Sequence, residues 1–191
     1  AGLPQPIAQA KPDRPAKTEA GEPEFTSTRG LVLAFAEGAE DAKPMHAGYR
    51  APLGRRLWTC PWGAADLRYG DGATVALDRS TVASLSEEAG VRRVRLDRGI
   101  LFLQSVPPTA GGGRAVVRTP QAEDHVANAQ VAVVVEAQRT LVEVAQGSVE
   151  VVLLGDEPRQ ACSVSLGHYL IAEGGKPLRA VKGRLGWQLK P

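Results

Sequence analysis

Three histidines, His46, His125 and His168, are the side chains best suited to hold a metal or move a proton near neutral pH. No two of them lie within four residues of each other. A metal box on a strand needs two such ligands at alternate positions together with a carboxylate. His125 follows Glu123 and Asp124, a metal-like trio in composition, but so soon after Pro120 it reads more simply as a solvated polar turn. His168 comes directly after a turn glycine and reads as a strand-edge residue. No Gly-x-Ser-x-Gly elbow is present, and Ser148, following Gly147, reads as a turn residue. The glycines at 111–113 have no Lys-Ser/Thr after them and open no helix, so they predict a flexible connection rather than a phosphate loop. The expectation is a chain with no catalytic residues, no metal and no cofactor.

Two groups of residues point instead to binding. Trp58 and Trp62 flank Cys60 in LWTCPWG, close to Arg55 and Arg56. Exposed, they would suit stacking on a sugar or anchoring an interface; buried, they would fill the core. Arg92, Arg93, Arg95 and Arg98 form an arginine series, and strand alternation puts Arg93 and Arg95 on one face. Such a stripe is either a solvated face or a dock for an acidic partner or anionic polymer. The two cysteines, Cys60 and Cys162, match no zinc or redox spacing. They are either small buried hydrophobes or a disulfide, whose loop of about 100 residues would contribute about 4–5 kcal/mol in the chain-entropy account.

The elements that would carry these residues are strands. Apolar residues make up 43% of the 191-residue chain but aromatics only 5%, a balance that favours many short β-elements over large interlocking helices. Residues 1–24, with prolines at 4, 6, 12, 15 and 23 and no hydrophobic period, predict a disordered Pro/Ala-rich linker ahead of a single domain over 25–191. In ADLRYGDGATVALD, Ala65, Leu67 and Tyr69 alternate with Asp66 and Arg68, and Ala73, Val75 and Leu77 with Thr74 and Asp78. Asp71-Gly72 between them marks a hairpin. LVLAFA (31–36), VRRVRL (91–96), GILFLQSV (99–106), RAVVRT, QVAVVVE, TLVEVAQ, SVEVVLL, CSVSLG, HYLIAE, LRAVKG and GWQLK continue the pattern. About a dozen short strands of this kind predict a jelly-roll-like or coiled β-sandwich. Helix is expected only as one turn in SLSEEAG (84–90) and two in QAEDHVANAQ (121–130). A glycine recurs between apolar positions in Leu96-x-x-Gly99-x-Leu101, Val144-x-x-Gly147-x-Val149 and Leu53-Gly54-x-x-Leu57, which reads as strand, turn and strand in the next layer.

The formal charge of +2 offers no polyanion-binding face over the whole domain, so nucleic acid is not an expected partner. No window holds 18 consecutive apolar residues, and the first residues lack a basic-then-apolar leader.

In order along the chain, DGATVALD (71–78), LDRGILFL (96–103), VRTPQAEDHV (117–126), TLVEVAQGSVEVV (140–152) and CSVSLGHYLIA (162–172) resemble the FecR domain family, envelope-side regulators of the ferric-citrate type. The resemblance covers roughly residues 48–172. Where the family carries a Gly-Thr pair followed by an aromatic, this chain has Asn128-Ala129 and Val131; Asn tolerates the left-handed backbone that Gly would supply. The resemblance implies a non-enzymatic periplasmic or cell-surface domain. It would be tethered to the cytoplasmic membrane through a segment outside this chain and would relay a signal toward a sigma factor. Its implied partner is an envelope protein, either a receptor signalling domain or another surface protein. The alternative, from the tryptophans, is a structural or carbohydrate-binding surface module with polysaccharide as its partner.

Overall fold

The computed structural model describes residues 21–36, 41–106, 113–155, 160–183 and 185, and among these no helix forms. Residues 1–20 of the expected linker and the strand expected in GWQLK (186–190) lie outside the described residues, while Glu24, placed at the linker's end, opens the first strand. Sixteen strands follow in chain order. They are β1 Glu24–Arg29, β2 Val32–Phe35, β3 Ala42–Pro44, β4 Arg56–Thr59, β5 Ala64–Arg68, β6 Thr74–Leu77, β7 Val82–Glu88 and β8 Val91–Gln104. Then come β9 Arg114–Arg118, β10 Ala122–Val126, β11 Gln130–Val135, β12 Arg139–Gln146, β13 Ser148–Leu153, β14 Ala161–Ser165, β15 His168–Glu173 and β16 Arg179–Lys182.

These strands form two sheets that share β8. Sheet A runs β1-β5-β6-β8-β11-β12-β15-β16. Sheet B runs β3-β2-β4-β7-β8-β9-β10-β13-β14. Every pairing is antiparallel except β8 with β9. From β9 onward, successive hairpins are laid alternately on B, A, B and A. The all-β coiled sandwich expected from the sequence is therefore present. The inner faces meet in one core, with Leu67, Leu101 and Val133 from sheet A and Leu57, Leu96 and Val151 from sheet B.

Alternation accounts for most of this burial. The β5–β6 hairpin buries Ala65, Leu67, Tyr69, Ala73, Val75 and Leu77 as their spacing requires. Its loop is Gly70-Asp71-Gly72: the Gly72 amide donates to the Tyr69 carbonyl, Gly72 takes φ 94°, and the Ala73 amide donates to the Asp71 carboxylate. The two segments read as helical turns are strands. Ala83 and Leu85 turn inward from β7, and Ala122 and Val126 from β10. A short polar segment is governed here by its ladder partners and not by its own weak helical preference.

VRRVRL and GILFLQSV are a single strand. Through Arg98, β8 pairs with β7; from Gly99 onward it pairs with β6 and β11. The crossing needs a bulge, in which Val82 pairs with Arg98 and Ala83 with Leu96, so that Asp97 is extra. It also needs Gly99, at φ 94°, where a Cβ would fall 2.5 Å from the Thr81 Cα. The Thr81 hydroxyl accepts from the Ile100 amide (3.0 Å) and donates to its carbonyl (3.1 Å), replacing a missing ladder strand.

The other crossings are closed in the same way. Thr59 donates to the Asp78 carbonyl (2.5 Å) and accepts from the Thr81 amide (2.9 Å). The Ser105 hydroxyl accepts from the Ala129 amide (2.9 Å). Thr119 caps its own turn by accepting from the Ala122 amide (2.9 Å), and Thr140 of β12 lies 2.8 Å from the Thr119 hydroxyl. Gly147, at φ 78°, carries the chain from β12 to β13 against the Asn128 carbonyl, and Asn128 itself takes φ 51°, the conformation expected of it. Gly54 precedes β4 in a loop and joins no two layers.

Two buried polar groups among the described residues have no such partner, the Tyr69 hydroxyl and the Asp124 carboxyl. Asp124 points inward from β10 between Val117 and Val151, and neither carboxylate oxygen has a hydrogen bond. Burial, with a smaller contribution from Glu123, pushes its carboxyl up to about 8.

Gly99→Ala should lower stability by about 3 kcal/mol or more in urea unfolding, through a forced left-handed Ala and the Thr81 clash. A loss under about 1 kcal/mol would show the crossing to be permissive. For Asp124 the folded value lies above the unfolded one, so its contribution is fully present in acid and is lost as pH rises from about 4 to about 8. Asp124→Asn should therefore remove a slope approaching 1.4 kcal/mol per pH unit within that window; parallel pH profiles for variant and parent would contradict it.

Candidate interaction face

With Val94 and Leu96 of β8 committed to the core, Arg93 and Arg95 must point outward from sheet B. The same parity on β4 buries Leu57 and Thr59 and turns Arg56 and Trp58 outward. Register then assembles the face. Arg56 lies opposite Ser84, and Ser84 opposite Arg95. Trp58 lies opposite Val82, and Val82 opposite Arg98, which the bulge brings to this surface. Phe35 of β2 flanks Arg56, and Arg118 of β9 flanks Arg95. Between them runs an open groove of about 1150 Å³, bounded by Phe35, Trp58, Val82, Arg56, Arg95 and Arg98.

The electrostatics are those of a cationic strip. Arg95 contacts Asp97 at 2.8 Å and Arg93 contacts Glu88 at 3.1 Å, both in exposed pairs that exchange readily with solvent or another anion. Arg56, Arg98 and Arg118 have no ion pair among the described residues. Further along sheet B the sign reverses: Glu123 and Glu150 share the outer face with His125, whose Nε2 lies 3.2 Å from Glu123. The cationic strip therefore ends at β9.

Arg92 is not part of it. Its guanidinium turns inward to Asp71 (2.6 Å) and stacks 4.3 Å from the Tyr69 ring centre, tying sheet B to the β5–β6 loop of sheet A. Burial pushes Asp71 up, but the Arg92 hydrogen bond and the Ala73 amide outweigh it and hold the carboxyl below its ordinary value. Burial also pushes the Tyr69 hydroxyl up to about 12, against the lowering influence of Arg92.

Neither Trp58 nor Trp62 is in the core. Trp58 is half-buried on the sheet face, and Trp62 is 76% exposed in the Cys60–Gly63 turn, against Gly30 and outside the groove. The structure thus brings Trp58, Arg93 and Arg95 onto one surface and leaves Trp62 apart. Phe35 and Arg118 escaped notice in the sequence because only register places them there. Cys60 and Cys162 are free thiols and do not form the disulfide considered above. Cys60 follows β4 and Cys162 lies on β14, and β7, β8, β9, β10 and β13 stand between those two strands in sheet B. Glu123, Asp124 and His125 form no metal cluster, since the strand sends Asp124 inward and its neighbours outward. His168 opens β15, as its position suggested, with Nδ1 3.3 Å from the Leu166 carbonyl.

These placements predict different costs for the two tryptophans. Trp62→Ala should change urea stability by less than about 0.5 kcal/mol, and Trp58→Ala should cost about 1–2 kcal/mol through lost packing on β4. Equal losses would contradict the placement.

Comparison with known proteins agrees with this architecture. Two crystal structures of a candidate anti-sigma factor from Parabacteroides distasonis ATCC 8503, at 1.65 and 2.50 Å resolution, share the fold with a TM-score of 0.56 and 22% identity. The match covers 67% of this chain and 59% of that one, so the chain spans less than two thirds of its neighbour's length. No curated protein matches the sequence significantly. The profile described as FecR protein matches residues 55–150, half of the chain, from the approach to β4 into β13 and across every crossing described above. The chain belongs to the FecR family.

Proposed function

We propose that this chain is a non-catalytic, extracytoplasmic sensing and protein-interaction domain in a signal relay that ends on a sigma factor. Family membership carries the proposal. The division of labour within the fold supports it. The residues that mark the family motifs, Gly99, Thr119, Thr140 and Gly147, all hold crossings and turns. That leaves the outer faces of the sheets free for contact with a partner. In this reading the domain sits on the outer side of the cytoplasmic membrane, receives an envelope protein, and passes the signal inward through a segment outside the described residues.

A second reading, a carbohydrate-binding surface module, draws on Trp62, whose ring is exposed as a sugar-stacking platform would be. Affinity capture from envelope extracts with the full 191-residue chain as bait separates the two. The expected result is selective, saturable recovery of the periplasmic part of a receptor or of a membrane regulator of a sigma factor. Recovery of cell-wall polysaccharide with no such protein would overturn the relay reading in favour of the second.

A further inference from the structure

The cationic strip of sheet B has a geometry that names the chemistry of its occupant. Its cations are all arginines, and Asp97 is the one carboxylate lining the groove. Arg93 and Arg95 are two residues apart on β8, about 6.8 Å, which is also the repeat of same-face side chains in an extended strand. Arg56 stands two strands away from Arg95, about 9.6 Å, with only the small Ser84 between them. The planar guanidinium prefers the flat, bidentate carboxylate. Beside the cations the groove carries apolar side chains, with Trp58 and Val82 in one cross-strand row and Phe35 beside Arg56, while Ser84 and Ser86 keep the rest of its floor polar. An alternation of carboxylates with an aromatic or aliphatic side chain complements this surface. An anionic polysaccharide would meet the same charges and stack a sugar face on Trp58, so the choice of a protein segment rests on family membership.

We propose that the outer face of β4, β7 and the first half of β8 is a docking site for an extended acidic segment of a partner protein. Its carboxylates pair with Arg56, Arg95 and Arg98, and an aromatic side chain lies beside Trp58. Binding exchanges the exposed Arg95–Asp97 contact for intermolecular ones. The acidic stretch at Glu123 and Glu150 repels the same segment and confines it to the basic half of the sheet. This inference rests on the reading of the chain as a protein-interaction domain and adds to it the surface and the chemistry of the partner.

The test uses a poly(Glu,Tyr) copolymer, poly-Glu and a heparin fragment as probes, with binding to the full chain followed by Trp fluorescence and calorimetry. The copolymer should bind more tightly than poly-Glu, and salt should weaken both. Arg56→Glu with Arg98→Glu should weaken copolymer binding about tenfold or more. Arg68→Glu with Arg179→Glu, an equal change in net charge on sheet A, should leave it within about twofold. Trp58→Ala should abolish the preference for the copolymer over poly-Glu. Equal losses from the two charge reversals, no binding of the copolymer, or tighter binding of heparin at the same arginines would each overturn the proposal. Using the Arg56→Glu, Arg98→Glu chain as bait for envelope capture separates the two levels. If it still retains the partner held by the parent chain, the groove assignment fails while the interaction reading stands. If the parent chain retains no protein, the interaction reading itself fails.

Discussion

Everything in this fold depends on closing the backbone hydrogen bonds where the chain leaves one sheet for the other. A ladder strand satisfies its own N–H and C=O groups; a strand that changes sheets strands some of them, at a cost of several kcal/mol if they are buried unpaired. The solution is a set of buried hydroxyls. Thr81 takes over both backbone groups of Ile100, Thr59 reaches the Asp78 carbonyl, Ser105 serves Ala129, and Thr119 meets Thr140 between the two layers. Glycines at 99 and 147 let the chain pass where any side chain would strike the Thr81 or Asn128 backbone. The Tyr69 hydroxyl and the Asp124 carboxyl lie outside this arrangement, each buried without a hydrogen-bond partner.

Fixing the crossings fixes the parity of every strand, and parity decides which residues reach solvent. Val94 and Leu96 pointing inward send Arg93 and Arg95 outward; Leu57 pointing inward does the same for Arg56 and Trp58. The bulge at Asp97–Arg98, required for β8 to turn the corner, also delivers Arg98 to the groove. The proposed docking face is thus a by-product of the same geometry that builds the core. Arg92 shows how sharp the division is: one position away from Arg93, it is spent on Asp71 and Tyr69 as a tie between the sheets.

The parts of this that could be read from the sequence are those set by local period. The hairpin around Gly72, the inward residues of β5 and β6, and the outward pair Arg93 and Arg95 depend only on alternation within one strand. What could not be read depends on partners distant in the chain. SLSEEAG and QAEDHVANAQ look helical because their polar residues hide a ladder register supplied by β4, β8, β9 and β13. Asp97-Arg98-Gly99 looks like the end of a strand, although it is the bend within one. Trp58 shares a cross-strand row with Leu33, Val82 and Arg98 only because β4 lies between β2 and β7. The same topology parts Cys60 from Cys162, which sequence separation alone left open.

The family motifs build the scaffold, and the proposed contact is made on the outer face of sheet B. Hydrogen–deuterium exchange of the chain, free and bound to the partner it captures, tests this most directly. Protection should rise in β4, β7 and the Val91–Arg98 half of β8, with β15 and β16 of sheet A unchanged. Protection concentrated on sheet A or along the β14 edge, with β4 and β7 exchanging as in the free chain, would contradict it.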